Sequence, residues 1–162
     1  FSGAKRRHLE RAERTLKQAA SRGQSVAAIG SADYPASLAA IYDPPPVLFY
    51  RGSLASGARR VAIVGARGAT PAGRSLARDL AQGLSAQGIE VVSGLARGID
   101  GTAHEGALSG PSTTLAVLGS SVDIIYPGEH KALAGRIEAR GAVISELPPG
   151  TQSGQNGLWG VW

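Results

Sequence analysis

The stretch that decides the fold is RVAIVGARGATPAG, at residues 60–73. Its apolar, β-branched start at residues 60–64 predicts a buried strand, and Gly65 and Gly68 permit tight turns after it. Thr70 is a residue type that caps helices, and Pro71 suits the first helical position. The pattern therefore predicts a strand, a glycine-rich loop and a helix over residues 72–87.

The same unit recurs about every 27 residues toward the C-terminus. Apolar runs at residues 89–92, 114–118 and 142–144 predict three more strands, and helices are expected at residues 100–109 and 129–140. Strands of this apolar kind, alternating with helices, are typical of a parallel sheet buried on both faces. We therefore expect an α/β fold: a Rossmann-like three-layer sandwich with a mainly parallel sheet.

Toward the N-terminus the pattern changes. A basic helix is predicted over residues 5–22 and ends at Gly23. Residues 24–60 are proline-rich, with three consecutive prolines at 44–46, and predict an irregular segment that wraps the surface around one strand at residues 47–50. We divide the chain into a basic helix (1–23), a core (24–151) and an atypical tail (152–162).

Composition narrows the function classes. The net charge of the 162 residues is +5, but the first 20 residues carry six basic and two acidic side chains, so the core is nearly neutral and its charge alone does not indicate a nucleic acid partner. The chain has no cysteine, which excludes disulfides and thiolate metal sites and fits a cytoplasmic location. It has no apolar run of the roughly 20 residues that a membrane helix needs. The absence of methionine, with Phe1 in first place, leads us to expect a fragment or a processed product.

The glycine-rich loops are the candidate binding site. Each follows a strand, and the carboxyl ends of parallel strands meet at one edge of a sheet, where ligands bind. Glycines, hydroxyls, free amides at helix starts and arginines at one edge predict a phosphate-binding groove. The predicted phosphate-binding or DNA-binding residues are Gly65, Arg67, Gly68, Thr70, Ser93, Gly94, Arg97, Gly98, Gly119, Tyr126 and Lys131.

Convincing catalytic sets are missing from the sequence. Asp100 and His104 are spaced to pair on one helix face, although a structural histidine is the better interpretation, and Glu146 is either a buried acid or a capping residue. The sequence has no nucleophile elbow, no P-loop lysine and no histidine pair at metal-ligand spacing. We therefore predict no catalytic residue, no metal site and no cofactor.

The loops together resemble the DprA/Smf family of DNA-processing proteins. The most specific match is Ser93-Gly94-Leu95-Ala96-Arg97-Gly98-Ile99-Asp100 with Ala103-His104 and Ala107-Leu108. Supporting matches are Tyr34-Pro35, Asp43-Pro44-Pro45-Pro46, Val64-Gly65-Ala66-Arg67, Tyr126-Pro127 and Ser145-Glu146, from about residue 24 to about residue 151. We recognise no family motif after Thr151.

That resemblance implies a non-enzymatic protein that binds single-stranded DNA in natural transformation and recombination and helps load the RecA recombinase. It implies that Arg67 contacts DNA, that Arg97 lies in the family's signature loop and that Lys131 falls in a basic stretch. A homodimer is compatible with it, and no membrane partner is expected. Two alternatives stay open on the same fold: a nucleotide-binding sensor and a nucleoside-phosphate hydrolase.

Overall fold

The computed structural model describes residues 3–54 and 57–152, which form one six-stranded sheet flanked by helices. The strands are β1 (Ser25–Ala28), β2 (Val47–Gly52), β3 (Arg60–Ala62), β4 (Glu90–Ser93), β5 (Thr114–Val117) and β6 (Ala142–Ser145). The helices are α1 (Gly3–Ser21), α2 (Ala36–Ala39), α3 (Pro71–Ala86), α4 (Ile99–Leu108) and α5 (Lys131–Glu138), with a 3₁₀ turn at Gly128–His130.

The sheet has the strand order β1-β2-β6-β5-β4-β3. The four strands β3 to β6 are parallel, and β1 and β2 are joined to them through antiparallel pairings at the β6 side. The strands β3, β4, β5 and β6 lie side by side in the sheet in the order in which they follow one another along the chain. Right-handed crossovers between them therefore place α3, α4 and α5 on the same face. The loops after these four strands therefore meet at one edge, which we call the carboxyl edge.

Small residues let the helix layer pack closely. Ala81 of α3 and Ala103 and Ala107 of α4 are fully buried and contact the sheet at Val91. Gly106 lies against the backbone of α3, where an added Cβ would be 2.3 Å from the carbonyl oxygen of Arg78. This close approach fixes α4, and with it the loop that precedes it, against the first strand–helix unit.

The opposite face of the sheet is covered by the proline-rich segment. Tyr34 and Leu38 pack against Leu48, Leu115 and Ile144. The hydroxyl of buried Tyr34 donates a 2.6 Å hydrogen bond to the carbonyl oxygen of Pro45 and closes the wrap. The predicted Rossmann-like three-layer α/β sandwich with a mainly parallel sheet is confirmed.

Helix α1 lies largely in solvent. Ala19 is buried, whereas Leu9 and Leu16 are about half exposed. Gly23 follows with a positive φ of 66°, as the predicted helix end requires. On either side of this glycine, Arg22 forms an ion pair with Asp123, and the side-chain amide of Gln24 donates to the same carboxylate at 3.1 Å. These contacts attach the C-terminal end of α1 to the loop after β5.

Two elements of the fold were not predicted from the sequence, and a third differs from its prediction. Residues 24–60 are not wholly irregular, because they contain β1 and α2 as well as the predicted strand. The helix expected at 129–140 is a 3₁₀ turn followed by a shorter α-helix. The predicted tail falls outside the described residues from residue 153 onward.

Candidate functional site

A cleft of about 280 Å³ opens at the carboxyl edge. Its walls come from the loops after β3, β4 and β5 together with the start of α4. The lining residues are Arg67, Gly94, Ala96, Arg97, Asp100, Val117, Leu118, Gly119, Ser120, Tyr126 and Pro127.

Asp100 ties the first two loops together. Its carboxylate is buried near the start of α4 and accepts one hydrogen bond from the amide of Gly65 at 3.3 Å and one from the amide of Gly94 at 3.2 Å. An anion near a helix N-terminus is also favoured by the helix dipole. These two amides are therefore engaged by the protein's own carboxylate, and Asp100 positions the loops that a ligand would meet.

Gly98 brings the second loop onto the first. Its φ is +77°, and an added Cβ would lie 2.2 Å from the carbonyl oxygen of Ala66. The next amide, that of Ile99, donates to the same oxygen at 3.3 Å. Since backbone meets backbone here, glycine is required, and the loop that carries Arg97 is held beside the loop that carries Arg67.

The start of α3 is capped as predicted. The Thr70 side chain accepts a 3.1 Å hydrogen bond from the amide of Gly73, and Pro71 occupies the first turn. Arg74 donates to the carbonyl oxygen of Ala69 at 3.1 Å. The cap leaves the exposed Arg67 as the charged residue that this loop contributes to the cleft.

Arg97, in the lining of the cleft, forms a two-point ion pair with Glu129. Its Nε donates to Oε1 at 2.8 Å and its Nη2 donates to Oε2 at 3.0 Å, and both side chains are 56% exposed. The hydrogen bonds with Glu129, followed by charge attraction, raise the pKa of Arg97, and the hydrogen bond from Arg97 lowers the pKa of Glu129. Both groups are thus fully charged at neutral pH.

The same two segments make a second contact. His130 follows Glu129, and its Nδ1 lies 2.8 Å from the carbonyl oxygen of Leu95. Leu95 is buried and has a φ of +58°, which is uncommon for a residue with a branched side chain. Backbone strain of this kind persists where the surroundings hold it and clusters at functional sites.

An aromatic ring and apolar walls complete the cleft. Tyr126 is 64% exposed, while Val117 and Leu118 form part of the wall. The hydroxyl of Ser120 donates to the carbonyl oxygen of Ile124 at 2.8 Å and so shapes the loop after β5. The arginines at the rim can bind a phosphate, and the exposed aromatic side chain can stack on a base. The apolar wall can contact the face of the same base.

The structure brings some of the predicted site residues together and leaves others apart. Those lining the cleft are Arg67, Gly94, Arg97, Gly119 and Tyr126. Gly65, Gly68, Thr70, Ser93, Gly98 and Lys131 do not line it. Ser93 is buried and donates to the carbonyl oxygen of Ile63 at 2.6 Å, whereas Lys131 is exposed at the start of α5.

Sequence reasoning missed the role of Asp100 in the cleft, and the pairing suggested for it with His104 is wrong. His104 is fully buried, and its Nδ1 lies 2.8 Å from Oγ1 of Thr114. Burial lowers the pKa of His104 to about 3, because desolvation disfavours the charged imidazolium. The interpretation of His104 as structural is confirmed. Glu146 is exposed, so it is not a buried acid.

Metal sites and membrane-spanning helices are two further features to consider in the described residues. Residues 3–54 and 57–152 contain no group of three or more His, Cys, Asp or Glu side chains arranged to hold a metal ion. In the same part of the chain, no helix has the length and apolarity needed to cross a membrane.

Comparison with known proteins relates the chain to DNA-processing proteins. Residues 25–157 match the family model described as DNA recombination-mediator protein A. The chain is 42% identical over 125 residues to Protein Smf of Synechocystis, a match that covers 74% of this chain and 31% of that protein.

Two solved structures share the fold. The structure of DNA processing protein A from Streptococcus pneumoniae superposes with a TM-score of 0.73 at 39% identity, over 79% of this chain and 45% of that one. The structure of DNA processing protein A from Helicobacter pylori, described for its single-stranded DNA binding mode, has a TM-score of 0.68 at 29% identity, over 82% of this chain and 60% of that one. The chain thus spans from about a third to about three fifths of the length of these three relatives.

Proposed function

The chain belongs to the DNA recombination-mediator protein A family, and we propose that the cleft at its carboxyl edge binds single-stranded DNA. The observation that carries this proposal is the position of Arg67 and Arg97. They come from loops after two different strands, yet both line one cleft together with Tyr126.

Each part of the cleft matches a part of a nucleotide. Guanidinium groups bind phosphate oxygens with charge-assisted hydrogen bonds. Exposed aromatic rings stack on bases of any sequence, and Val117 and Leu118 offer apolar surface to a ring. The carboxylate of Asp100 lies in the same lining and has further acceptor capacity for base or sugar donors.

A single strand suits the cleft better than a duplex. The bases of a duplex are stacked and paired, so that their faces cannot reach Tyr126, whereas a single strand presents its bases to such a ring. The Helicobacter pylori relative, described for single-stranded DNA binding, shares this fold.

Binding rather than catalysis is the role that we propose. Two acid–base candidates of α4 are already engaged: Asp100 accepts hydrogen bonds from two backbone amides, and His104 is buried in the core beside Thr114. A general base must reach the proton that it abstracts, and His104 does not line the cleft. Incubation with nucleoside monophosphates, followed by chromatography for free base, tests the hydrolase alternative.

The wider role follows from family membership. We propose that the protein acts in the cytoplasm in DNA processing during natural transformation and recombination, presents the bound strand to the RecA recombinase and forms a homodimer. The chain spans 31% of its Synechocystis relative, so the full-length family protein is the right material for tests of RecA loading and dimerisation.

The direct test of binding is a fluorescence anisotropy titration with labelled oligo-dT and with a duplex of equal length, each at two salt concentrations. We expect tighter binding to the single strand, with an affinity that falls as salt rises because phosphate contacts release counterions. Equal affinity for duplex, or no binding to oligo-dT at low salt, would refute the proposal.

A small nucleotide is the second candidate ligand, because the volume of the cleft comes close to that of small-molecule sites. Its volume of about 280 Å³ lies just below the range of roughly 300–1,000 Å³ that is typical of small-molecule sites. Competition with thymidine monophosphate separates the two ligands. Half-displacement of oligo-dT by micromolar mononucleotide would favour the sensor, and a need for millimolar mononucleotide would favour DNA.

A further inference from the structure

The contact between Arg97 and Glu129 occupies the part of Arg97 that a phosphate would use. The guanidinium presents one edge to the carboxylate, with Nε on Oε1 at 2.8 Å and Nη2 on Oε2 at 3.0 Å. Arginine binds carboxylate and phosphate through the same planar fork. A phosphate that approaches Arg97 in this way meets a bound carboxylate first.

Glu129 is delivered to this place by the fold. It lies in the 3₁₀ turn Gly128–His130, and the next residue, His130, contacts the carbonyl oxygen of Leu95 in the Arg97 loop. The turn also packs against α4, since an added Cβ on Gly101 would be 2.7 Å from the His130 ring. Two neighbouring residues of the turn thus contact the loop before α4, so the ion pair belongs to a packed junction between two segments.

We propose that Glu129 is an intramolecular competitor for the phosphate-binding edge of Arg97 and thereby sets the affinity of the cleft. This inference rests on the proposed function, because it assumes that Arg97 contacts DNA. A bound strand displaces Glu129 from the guanidinium, and Glu129 takes the arginine back when the strand leaves. Competition from Glu129 lowers the affinity of the cleft for the strand and favours release of the strand.

The size of the effect follows from exposure. Both side chains are 56% exposed, and an ion pair of this kind shifts an equilibrium by roughly one and a half- to fivefold. The competitor therefore weakens binding modestly and does not block it. Because the bound strand contacts Arg97 with or without the competitor, the number of phosphate contacts and the salt dependence stay nearly the same.

The experiment compares the wild type with Glu129→Gln in the anisotropy titration with oligo-dT at several salt concentrations. Glutamine keeps the size of the side chain and removes its charge. We expect roughly one and a half- to fivefold tighter binding, with a slope of log affinity against log salt close to that of the wild type, because the bound strand contacts Arg97 in both proteins.

The chain offers a matched control. Glu105 pairs with Arg78 at 2.9 Å, and these side chains are also about half exposed, but they lie on α4 and α3 and not in the cleft lining. Glu105→Gln removes the same charge, so it reports the effect of net charge alone. We expect it to leave the affinity within error of the wild type.

A third comparison tests whether Glu129 acts through Arg97. In an Arg97→Ala background Glu129 has no guanidinium to compete for, so Glu129→Gln should not increase the affinity for oligo-dT any further. A gain of the same size in that background would mean general charge repulsion and would overturn the inference.

The outcomes separate this inference from the proposed function. If the wild type binds oligo-dT and Glu129→Gln binds equally or more weakly, the competitor role is refuted while single-stranded DNA binding stands. Weaker binding would mean that Glu129 orients Arg97 for DNA. If neither protein binds at low salt, both proposals fail.

Discussion

The two ends of the parallel sheet each carry an arginine–glutamate ion pair, and the pairs differ in burial. At the amino end, Nε of Arg60 lies 2.5 Å from Glu90, whose side chain is 2% exposed and also accepts from the hydroxyl of Thr113 at 2.5 Å. At the carboxyl end, Arg97 and Glu129 are both 56% exposed. The buried pair has its partners fixed by packing, whereas the exposed pair can exchange its partner for a ligand.

Other polar groups follow the same division. At the amino end, the guanidinium of Arg140 donates to the carbonyl oxygens of Leu108, Gly110 and Ser112 and so closes the loop between α4 and β5. At the carboxyl end, Tyr126 projects into solvent beside an open cleft. The amino end thus contributes polar contacts that maintain the fold, and the open carboxyl end is where we propose that the ligand binds.

The largest effect that would sharpen this comparison is expected from Glu90→Gln. Loss of the charge breaks the ion pair between buried Glu90 and Arg60, and breaking a buried pair costs about 3 kcal/mol of unfolding free energy. Urea denaturation measures this cost, with the exposed Glu105→Gln as the control. Affinity for oligo-dT should not change in the folded variant. A loss below about 0.5 kcal/mol would show that burial does not distinguish the two ends.

A smaller effect is expected from acid. His104 has a pKa of about 3 in the folded protein and about 6.5 when unfolded, so the unfolded chain binds its proton first. The stability that neutral His104 contributes is complete above pH 6.5 and is lost progressively as the pH falls toward 3. At pH 5 this loss is about 2 kcal/mol.

Denaturation curves at pH 7 and pH 5 test the assignment, with His104→Gln as the comparison. The variant keeps a polar group near Thr114 but cannot titrate, so its stability should fall by about 2 kcal/mol less between the two pH values. An identical loss in both proteins would place the acid sensitivity elsewhere.

The smallest of these effects concerns binding alone. Tyr126→Ala removes a ring that is 64% exposed, so stability should stay the same while oligo-dT affinity falls about tenfold through lost base stacking. Tyr126→Phe keeps the ring and should bind as the wild type does. If the alanine variant binds oligo-dT as tightly as the wild type, Tyr126 does not stack on a base in the complex.

The sequence predicted what local patterns encode. Thr70 and Pro71 marked the start of α3, and apolar runs marked the four parallel strands, with a glycine within two residues after three of these runs. These features depend on residues a few positions apart, so a single sequence shows them directly. The segment β1, by contrast, exists because it pairs with β2, and its four residues carry little signal of their own.

The parts of the site that were missed depend on contacts between distant residues. Asp100 reaches Gly65 over 35 positions, and Arg97 reaches Glu129 over 32. The spacing of Asp100 and His104 suggested a pair, but each side chain found a partner on another element. Helical spacing shows which residues share a face, and tertiary packing decides which of them bond.

The central claim is that Arg67 and Arg97 hold DNA phosphates at the carboxyl edge. It is tested most directly by the salt dependence of oligo-dT binding in the Arg67→Ala/Arg97→Ala protein, with Arg78→Ala as the control for one lost charge outside the cleft. The account predicts weaker binding for the double variant, with a log–log salt slope smaller by about 1.4, and an unchanged slope for Arg78→Ala. A double variant whose affinity and slope match those of the control would contradict it.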